Sequence, residues 1–400
     1  MGTTLINILY MSTIAVLMAP LVLRLNKINR YVLSNAKIGI YFIFIIWLFT
    51  VVLITNKFDI YTLIRLIVFI IYFILYLVFL FNFSSSYSHI TLAFKMILYS
   101  ILAYLLIANL LNRGFVFTLY EIMYVRYDGL GNPNSHGIIS AIGVMLSIPF
   151  ITMAKSRKQF IIYLLVLSYT TINLIMTGSR SALLITLVFS LVYFNLISKI
   201  YKGLFLSKVF KLFFLISSGL LIYIALSRGI GLLAQSFKFT EFSIQGRLNP
   251  LITGLNIIRE NSFVPYGLGR GALSDLGIGR DLVGTSKIGN PLDNSFILIA
   301  IETGILGLGL LLAFVAQIFN KFFQGFNALR RKALFVENDK AFNTNFYVTS
   351  FSIMISLLLH AFFEANLFSG IDIVTLLFLI CCANIVVTNG LIYKFLKSIV

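Results

Sequence analysis

The sequence predicts an all-α, polytopic membrane protein with about 11 transmembrane helices (roughly 10–12), and three observations carry that prediction. Hydrophobic residues make up 60% of the chain and charged residues only 11%, a balance foreign to a soluble domain of 400 residues. The apolar residues are grouped into runs of the length that crosses a hydrocarbon core. The basic residues fall mainly between alternate runs.

In chain order the runs cover 3–23, 38–55, 60–82, 90–111, 136–153, 159–177, 180–198, 207–226, 294–319, 346–363 and 370–389. Residues 1–400 read as one integral membrane domain, interrupted by one long polar segment at 228–292. No Lys or Arg precedes Arg24, so the first run lacks the charged start of a cleavable signal and is expected to stay in the protein. Cys381 and Cys382 are adjacent inside the last run, which argues against a disulfide framework. His89, His136 and His360 are far apart with no ligand spacing, and no metal or cofactor is implied.

The net charge of +18 raises the question of nucleic acid, and its distribution answers it. One alternating set of loops, with the tail, holds 18 basic residues in clusters such as Arg24–Lys37, Lys199–Lys211 and Arg330–Lys340, opposed only by Glu337 and Asp339. The other set holds 11, among them Arg180, Arg247 and Arg270. The charge is therefore a topology signal, with no nucleic-acid partner implied, and the first set is expected to be cytoplasmic. Segment 228–292 and Arg180 are then expected on the extracytoplasmic side. The loop at Phe83–Ser88 should be cytoplasmic yet lacks a basic residue.

The 65 residues of 228–292 hold 11 of the 27 glycines and 3 of the 6 prolines, too few residues for a separate domain and too many for a connector. Asn249-Pro250 reads as an N-cap and first helical residue, with Leu251, Leu255 and Ile258 on one face of a surface helix ending near Glu260. Arg247 is expected in the turn before it. Tyr266-Gly267-Leu268-Gly269-Arg270-Gly271 reads as a flexible flap over a site, since no strand precedes it as a nucleotide loop would require.

Two short polar segments at run ends carry the chemistry. In Thr177-Gly178-Ser179-Arg180-Ser181, Gly178 is expected to close one helix and Ser179 to cap the next, placing Arg180 among unpaired backbone N–H groups where an anion is favoured. The same position suits an arginine snorkelling to lipid headgroups. In Asp293-Asn294-Ser295-Phe296, Asp293 is expected to cap the following span. Glu302 lies about 10 Å further along that helix and should face protein or water. Gly304, Gly307 and Gly309 are expected to admit a neighbouring helix. His360 and Glu364, four apart, are expected on one helical face as a hydrogen-bonded pair.

At these residues the chain resembles the O-antigen ligase and Wzy-type polysaccharide polymerase superfamily of bacterial membrane glycosyltransferases. That family's pattern is a histidine, then Asn, Ser or Gln, nine residues, and Gly-x-x-Gly; Asn294 and Gly304-Ile305-Leu306-Gly307 fit it, while Asp293 replaces the histidine. Thr177–Arg180 is similar to the family's arginine motif, Arg247 matches its second arginine, and Asn132-Pro133-Asn134 is similar to a further recurring element. The resemblance is confined mainly to residues 130–310.

What the resemblance implies is a GT-C-like fold acting on undecaprenyl-pyrophosphate-linked oligosaccharides at the outer face of the bacterial cytoplasmic membrane. Asp293, Arg180 and Arg247 are then the candidate catalytic residues, Asp293 as base and the arginines on the leaving diphosphate. Ser179, Asn294, Asn134, Arg270, His360 and Glu364 are the candidate substrate-binding residues. The implied partners are the lipid-linked sugars and membrane lipid, with a chain-length regulator and a flippase left open. Aspartate in place of histidine favours a capsule, exopolysaccharide or O-antigen polymerase over a ligase. A flippase is the rival from another class, but transporters commonly show internal repeats and none is found.

The topology has a direct test in a background lacking Cys381 and Cys382. A membrane-impermeant thiol reagent added to intact cells should label Ser236→Cys and leave Ser207→Cys unlabelled; the reverse pattern would overturn the sidedness.

Overall fold

The computed structural model describes residues 39–56, 60–85, 88–113, 127, 129, 133–200, 242–260, 264–268, 294–331, 344–365, 367–368 and 372–399. Ten helices lie among them: α1 (Gly39–Thr55), α2 (Ile60–Ser85), α3 (Ser88–Arg113), α4 (Pro133–Thr152), α5 (Arg157–Thr177), α6 (Arg180–Ile200), α7 (Phe242–Glu260), α8 (Ser295–Arg331), α9 (Thr344–Ala361) and α10 (Ile373–Ile399). Eight are long and apolar enough to cross a membrane, and α1 is a shorter apolar helix. The protein is therefore an all-helical, polytopic membrane protein. The runs expected at 3–23 and 207–226 lie outside the described residues.

Helices α4, α9 and α10 form the interior and carry small polar residues where a soluble protein would carry leucine. Ser140, Ser147, Ser352 and Ser356 each donate to the carbonyl four residues earlier, at 2.7–2.9 Å, which satisfies the hydroxyl and keeps the helix surface slim. Gly143 lies so close to α5 that a Cβ there would stand 2.7 Å from Thr170 Cγ2. Asn384 of α10 donates to Phe346 O (3.0 Å) and Ser350 Oγ (2.8 Å) of α9, a buried bond between spans. Helix α5, by contrast, exposes Phe160, Ile161, Ile162 and Leu165, as expected of a helix facing lipid.

Helix α8 is the longest described element, and at 1.5 Å per residue its 37 residues reach about 55 Å. It is broken at Gly304, where φ is 70° and ψ 174°, a conformation essentially restricted to glycine. Two carbonyls beside the break take donors from elsewhere: Thr303 O from Trp47 Nε1 of α1 (2.8 Å), and Ile301 O from Tyr266 N (3.1 Å). Two of the three glycines thus differ from expectation, whereas Gly307 meets it by admitting Trp47 of α1. Gly304 supplies the break, and Gly307 leaves room for the Thr303 side chain and Trp47, whereas a Cβ on Gly309 would meet nothing.

The described parts of the large loop also depart from expectation. Helix α7 runs through Asn249 and Pro250, so Asn249 is not its N-cap and Arg247 lies within the helix. Its buried edge is Leu251 with Ile257 and Ile258, packed on Ile297, Leu298 and Ile301 of α8, while Leu255 is exposed. Helix α7 therefore rests on α8. Tyr266 and Leu268, read as part of a flap, are anchored: besides the Tyr266 bond, Leu268 O accepts from Thr62 Oγ1 of α2 (2.9 Å) and its side chain is buried. The remainder of that glycine-rich stretch, with Arg270, lies outside the described residues.

Candidate functional site

The α5–α6 turn forms as its residues dictate. Gly178 is left-handed (φ 59°), its N–H donates to Ile175 O (3.2 Å), and Arg180 opens α6. Ser179 occupies the N-cap position through its backbone, its carbonyl accepting from Leu183 N (3.1 Å), whereas its hydroxyl pairs with Ser181 Oγ (3.4 Å). Arg180 is exposed and Ser179 wholly buried. A guanidinium thus stands at a helix N-terminus, where both charge and orphan N–H groups favour an anion.

This turn sits on the first turns of α4. A Cβ on Gly137 would lie 2.6 Å from Ser179 Cβ, so only glycine permits the approach. One residue earlier His136 is buried, edge-on to Tyr127 (4.9 Å between centroids), with Tyr104 OH at 3.4 Å and Asn173 Oδ1 at 3.5 Å. Asn109 Nδ2 joins Asn173 Oδ1 (3.2 Å) to Tyr169 OH (2.6 Å), and Tyr127 N donates to Met176 O (3.0 Å). The turn carrying Arg180 is thereby held on a polar layer drawn from α3, α4 and α5.

At the same end of α4, Pro133 is the first helical residue and Asn134 donates from Nδ2 to Glu364 Oε1 (2.8 Å). The chain leaving α9 is tied to α8: Asn294 Nδ2 donates to Phe362 O (3.2 Å), Ser295 Oγ donates to Glu364 O (3.0 Å), and Leu367 N donates to Ser295 Oγ (3.1 Å). The structure thus joins Asn134, Asn294 and Glu364, from chain segments 230 residues apart at the extremes, and links Ser179 to them through α4.

Two expectations are corrected at this junction. The cap of α8 is Asn294, whose Oδ1 accepts from Phe296 N (2.9 Å) and Ile297 N (3.1 Å); Asp293 is not the cap, because the helix begins one residue later than the apolar run suggests. His360 and Glu364 do not share a helical face, because α9 ends at Ala361. Their link is Glu364 N to His360 O (3.0 Å), the carboxylate turning to Asn134. The buried His360 ring takes no hydrogen-bond partner at either nitrogen among the described residues. Asp293 and Arg270 lie outside the described residues, as does the side chain of Arg247.

Glu302 proves to face protein. Its carboxylate pairs with Arg65 of α2, Nη2 to Oε2 at 2.8 Å and Nε to both oxygens at 3.1 and 3.2 Å, with both side chains buried. The carboxylate is thus committed to Arg65 rather than to the junction that carries Asn134 and Asn294. The signal was present in the sequence: Arg65 and Glu302 are opposite charges inside separate apolar runs, each in need of a partner. Close by, Asp372 caps α10, accepting from Thr375 N (2.7 Å) and Thr375 Oγ1 (3.2 Å).

Comparison with known proteins meets this geometry where the site motifs are. Residues 163–312 match the Wzy_C family, described as O-antigen ligase. The match takes in Ser179, Arg180, Arg247, Arg270, Asp293 and Asn294, and it supports the O-antigen ligase and Wzy-type superfamily resemblance. The class is thereby a multi-pass membrane protein, and the match over 163–312 supports a function of the O-antigen ligase or polymerase type in general. No curated protein matches the chain.

The contact between Gly137 and Ser179 gives a test of the site's support. Since the clash in Gly137→Ala is with a Cβ fixed to the turn backbone, no side-chain rotation relieves it. A loss of about 1–3 kcal/mol is expected in unfolding measurements, together with weakened activity. Unchanged stability would show that the turn shifts freely.

Proposed function

We propose that the protein is a metal-independent glycosyltransferase, a polymerase joining undecaprenyl-pyrophosphate-linked oligosaccharide repeat units into capsular polysaccharide, exopolysaccharide or O-antigen. The site faces the extracytoplasmic side of the bacterial cytoplasmic membrane. The observation that carries the reading is Arg180, exposed at the start of α6 and seated through Gly137 on the helix that also carries Asn134, within a segment matching the O-antigen ligase family. In the reaction an acceptor hydroxyl attacks the sugar carbon bonded to the diphosphate, and the C–O bond to the diphosphate breaks. The hydroxyl proton passes to Asp293, and the lipid diphosphate leaves with its charge met by Arg180 and Arg247. Asn134, Glu364 and Asn294 line the same helix ends and offer hydrogen bonds to sugar hydroxyls, with Ser179, Arg270 and His360 completing the proposed binding set. The family's description as O-antigen ligase supports one second reading, ligase-type transfer of polysaccharide to another acceptor.

Two substitutions test this assignment. Charge-assisted contacts to a diphosphate contribute roughly 1.5–3 kcal/mol each, so Arg180→Ala should lower turnover of lipid-linked repeat units about tenfold or more, and Arg180→Lys should restore only part of it. Normal polymer from Arg180→Ala at normal protein level would sink the role.

For Asp293, catalysis and helix capping can be tested separately. Because Asn294 carries the cap, Asp293→Asn should abolish transfer at unchanged thermal stability, whereas Asn294→Ala should cost about 1 kcal/mol of stability. Parent-like transfer by Asp293→Asn would remove Asp293 as the base.

A further inference from the structure

We propose that Arg65 and Glu302 are positioning residues: their ion pair holds α2 and α8 in the one register that anchors the returning segment of the large loop. The consequence for transfer rests on the function proposed above, whereas the anchoring does not.

The segment Tyr266–Leu268 is fastened at two points on two different helices. Leu268 O accepts from Thr62 Oγ1 of α2 (2.9 Å), and Tyr266 N donates to Ile301 O of α8 (3.1 Å). Thr62 lies three residues before Arg65, on the same helical face, and Ile301 immediately precedes Glu302. The two anchors therefore flank the ion pair. They can be made together only while α2 and α8 keep their relative height and rotation. An arginine meeting a carboxylate through both Nε and Nη2 fixes both, because the planar fork tolerates little displacement. Arg65 is held in turn over the Phe69 ring, 4.8 Å from guanidinium carbon to centroid.

The break at Gly304 explains why the register has consequences for the loop. Backbone carbonyls released within an apolar bundle need partners, and here Trp47 Nε1 and Tyr266 N supply them. Sliding α8 past α2 would strip Ile301 O and Leu268 O of their donors and expose Leu268, which is fully buried. Helix α7, with Arg247, precedes this segment by a few residues and packs on Ile297 and Ile301 of the same helix. The ion pair thus sits beside the segment that follows the helix carrying the second proposed arginine.

The test uses the full-length protein in lipid nanodiscs, with a reporter Leu268→Cys in a Cys381→Ser, Cys382→Ser background and a membrane-impermeant maleimide as probe. Glu302→Gln, which keeps the side chain's size, and Thr62→Val, which removes one anchor without touching the pair, should each raise the labelling rate about tenfold or more. The exchanged pair Arg65→Glu with Glu302→Arg should label more slowly than Glu302→Arg alone. Variants are compared only when monodisperse; Thr62→Val, nearly isosteric, is the safeguard should the charge variants fail to fold. Labelling within about twofold of the reporter parent in both Glu302→Gln and Thr62→Val would overturn the anchoring. Raised labelling with unchanged kcat on lipid-linked repeat units would overturn the positioning role alone. A parent protein inactive on those units would refute the proposed function and leave the labelling result standing.

Discussion

The break in α8 at Gly304 is the constraint on which much of the described architecture turns. A helix crossing hydrocarbon satisfies its own backbone, and a glycine with φ of 70° forfeits part of that satisfaction in a place without water. The bundle answers with groups from two other segments, the Trp47 indole from α1 and the Tyr266 amide from the large loop. One local irregularity thus binds α1 and part of the large loop to α8. Gly307, three residues on, belongs to the same device, since it makes room for Thr303 and the indole.

The end of the bundle that carries Arg180 is built by a related logic. Four chain segments finish or begin there, each exposing backbone groups that need partners. Asn294 closes the N-terminus of α8 and at the same time donates to the turn leaving α9. Ser295 both donates to Glu364 O and accepts from Leu367 N. Asn134 takes the Glu364 side chain. Polar side chains that cap helices also join them, so the candidate sugar-binding groups are positioned by structural hydrogen bonds before any substrate arrives, and little ordering remains to be done on binding.

The opposite end of the same helices is pinned in a comparable way. Thr152 of α4 accepts from Asn345 Nδ2 of α9 (2.7 Å) and meets Tyr193 OH of α6 (3.0 Å), while Tyr193 also donates to Asn345 Oδ1. Helices α4, α6 and α9 are thus fixed at both ends. Between them the small, self-satisfied serines allow close packing that apolar bulk would prevent.

Among the described residues, the sequence by itself determined the class, the spans and the turn between α5 and α6. Apolar runs against a hydrocarbon core leave one regular solution, and the Gly178–Arg180 and Pro133–Asn134 boundaries follow from residue chemistry within a few positions. What it left undetermined were choices between equivalent local options. Asp293 and Asn294 are both good caps, and the Asn294 bond to Phe362 O accompanies the choice of Asn294. His360 and Glu364 have helical spacing, yet α9 stops at Ala361, and the carboxylate finds Asn134 across the bundle. The glycine-rich stretch looked mobile because glycine permits motion, and its first residues are instead held by Thr62 and Ile301. In each case the deciding partner is distant in sequence, and a chain carries no local record of which distant group will meet an unsatisfied donor or charge.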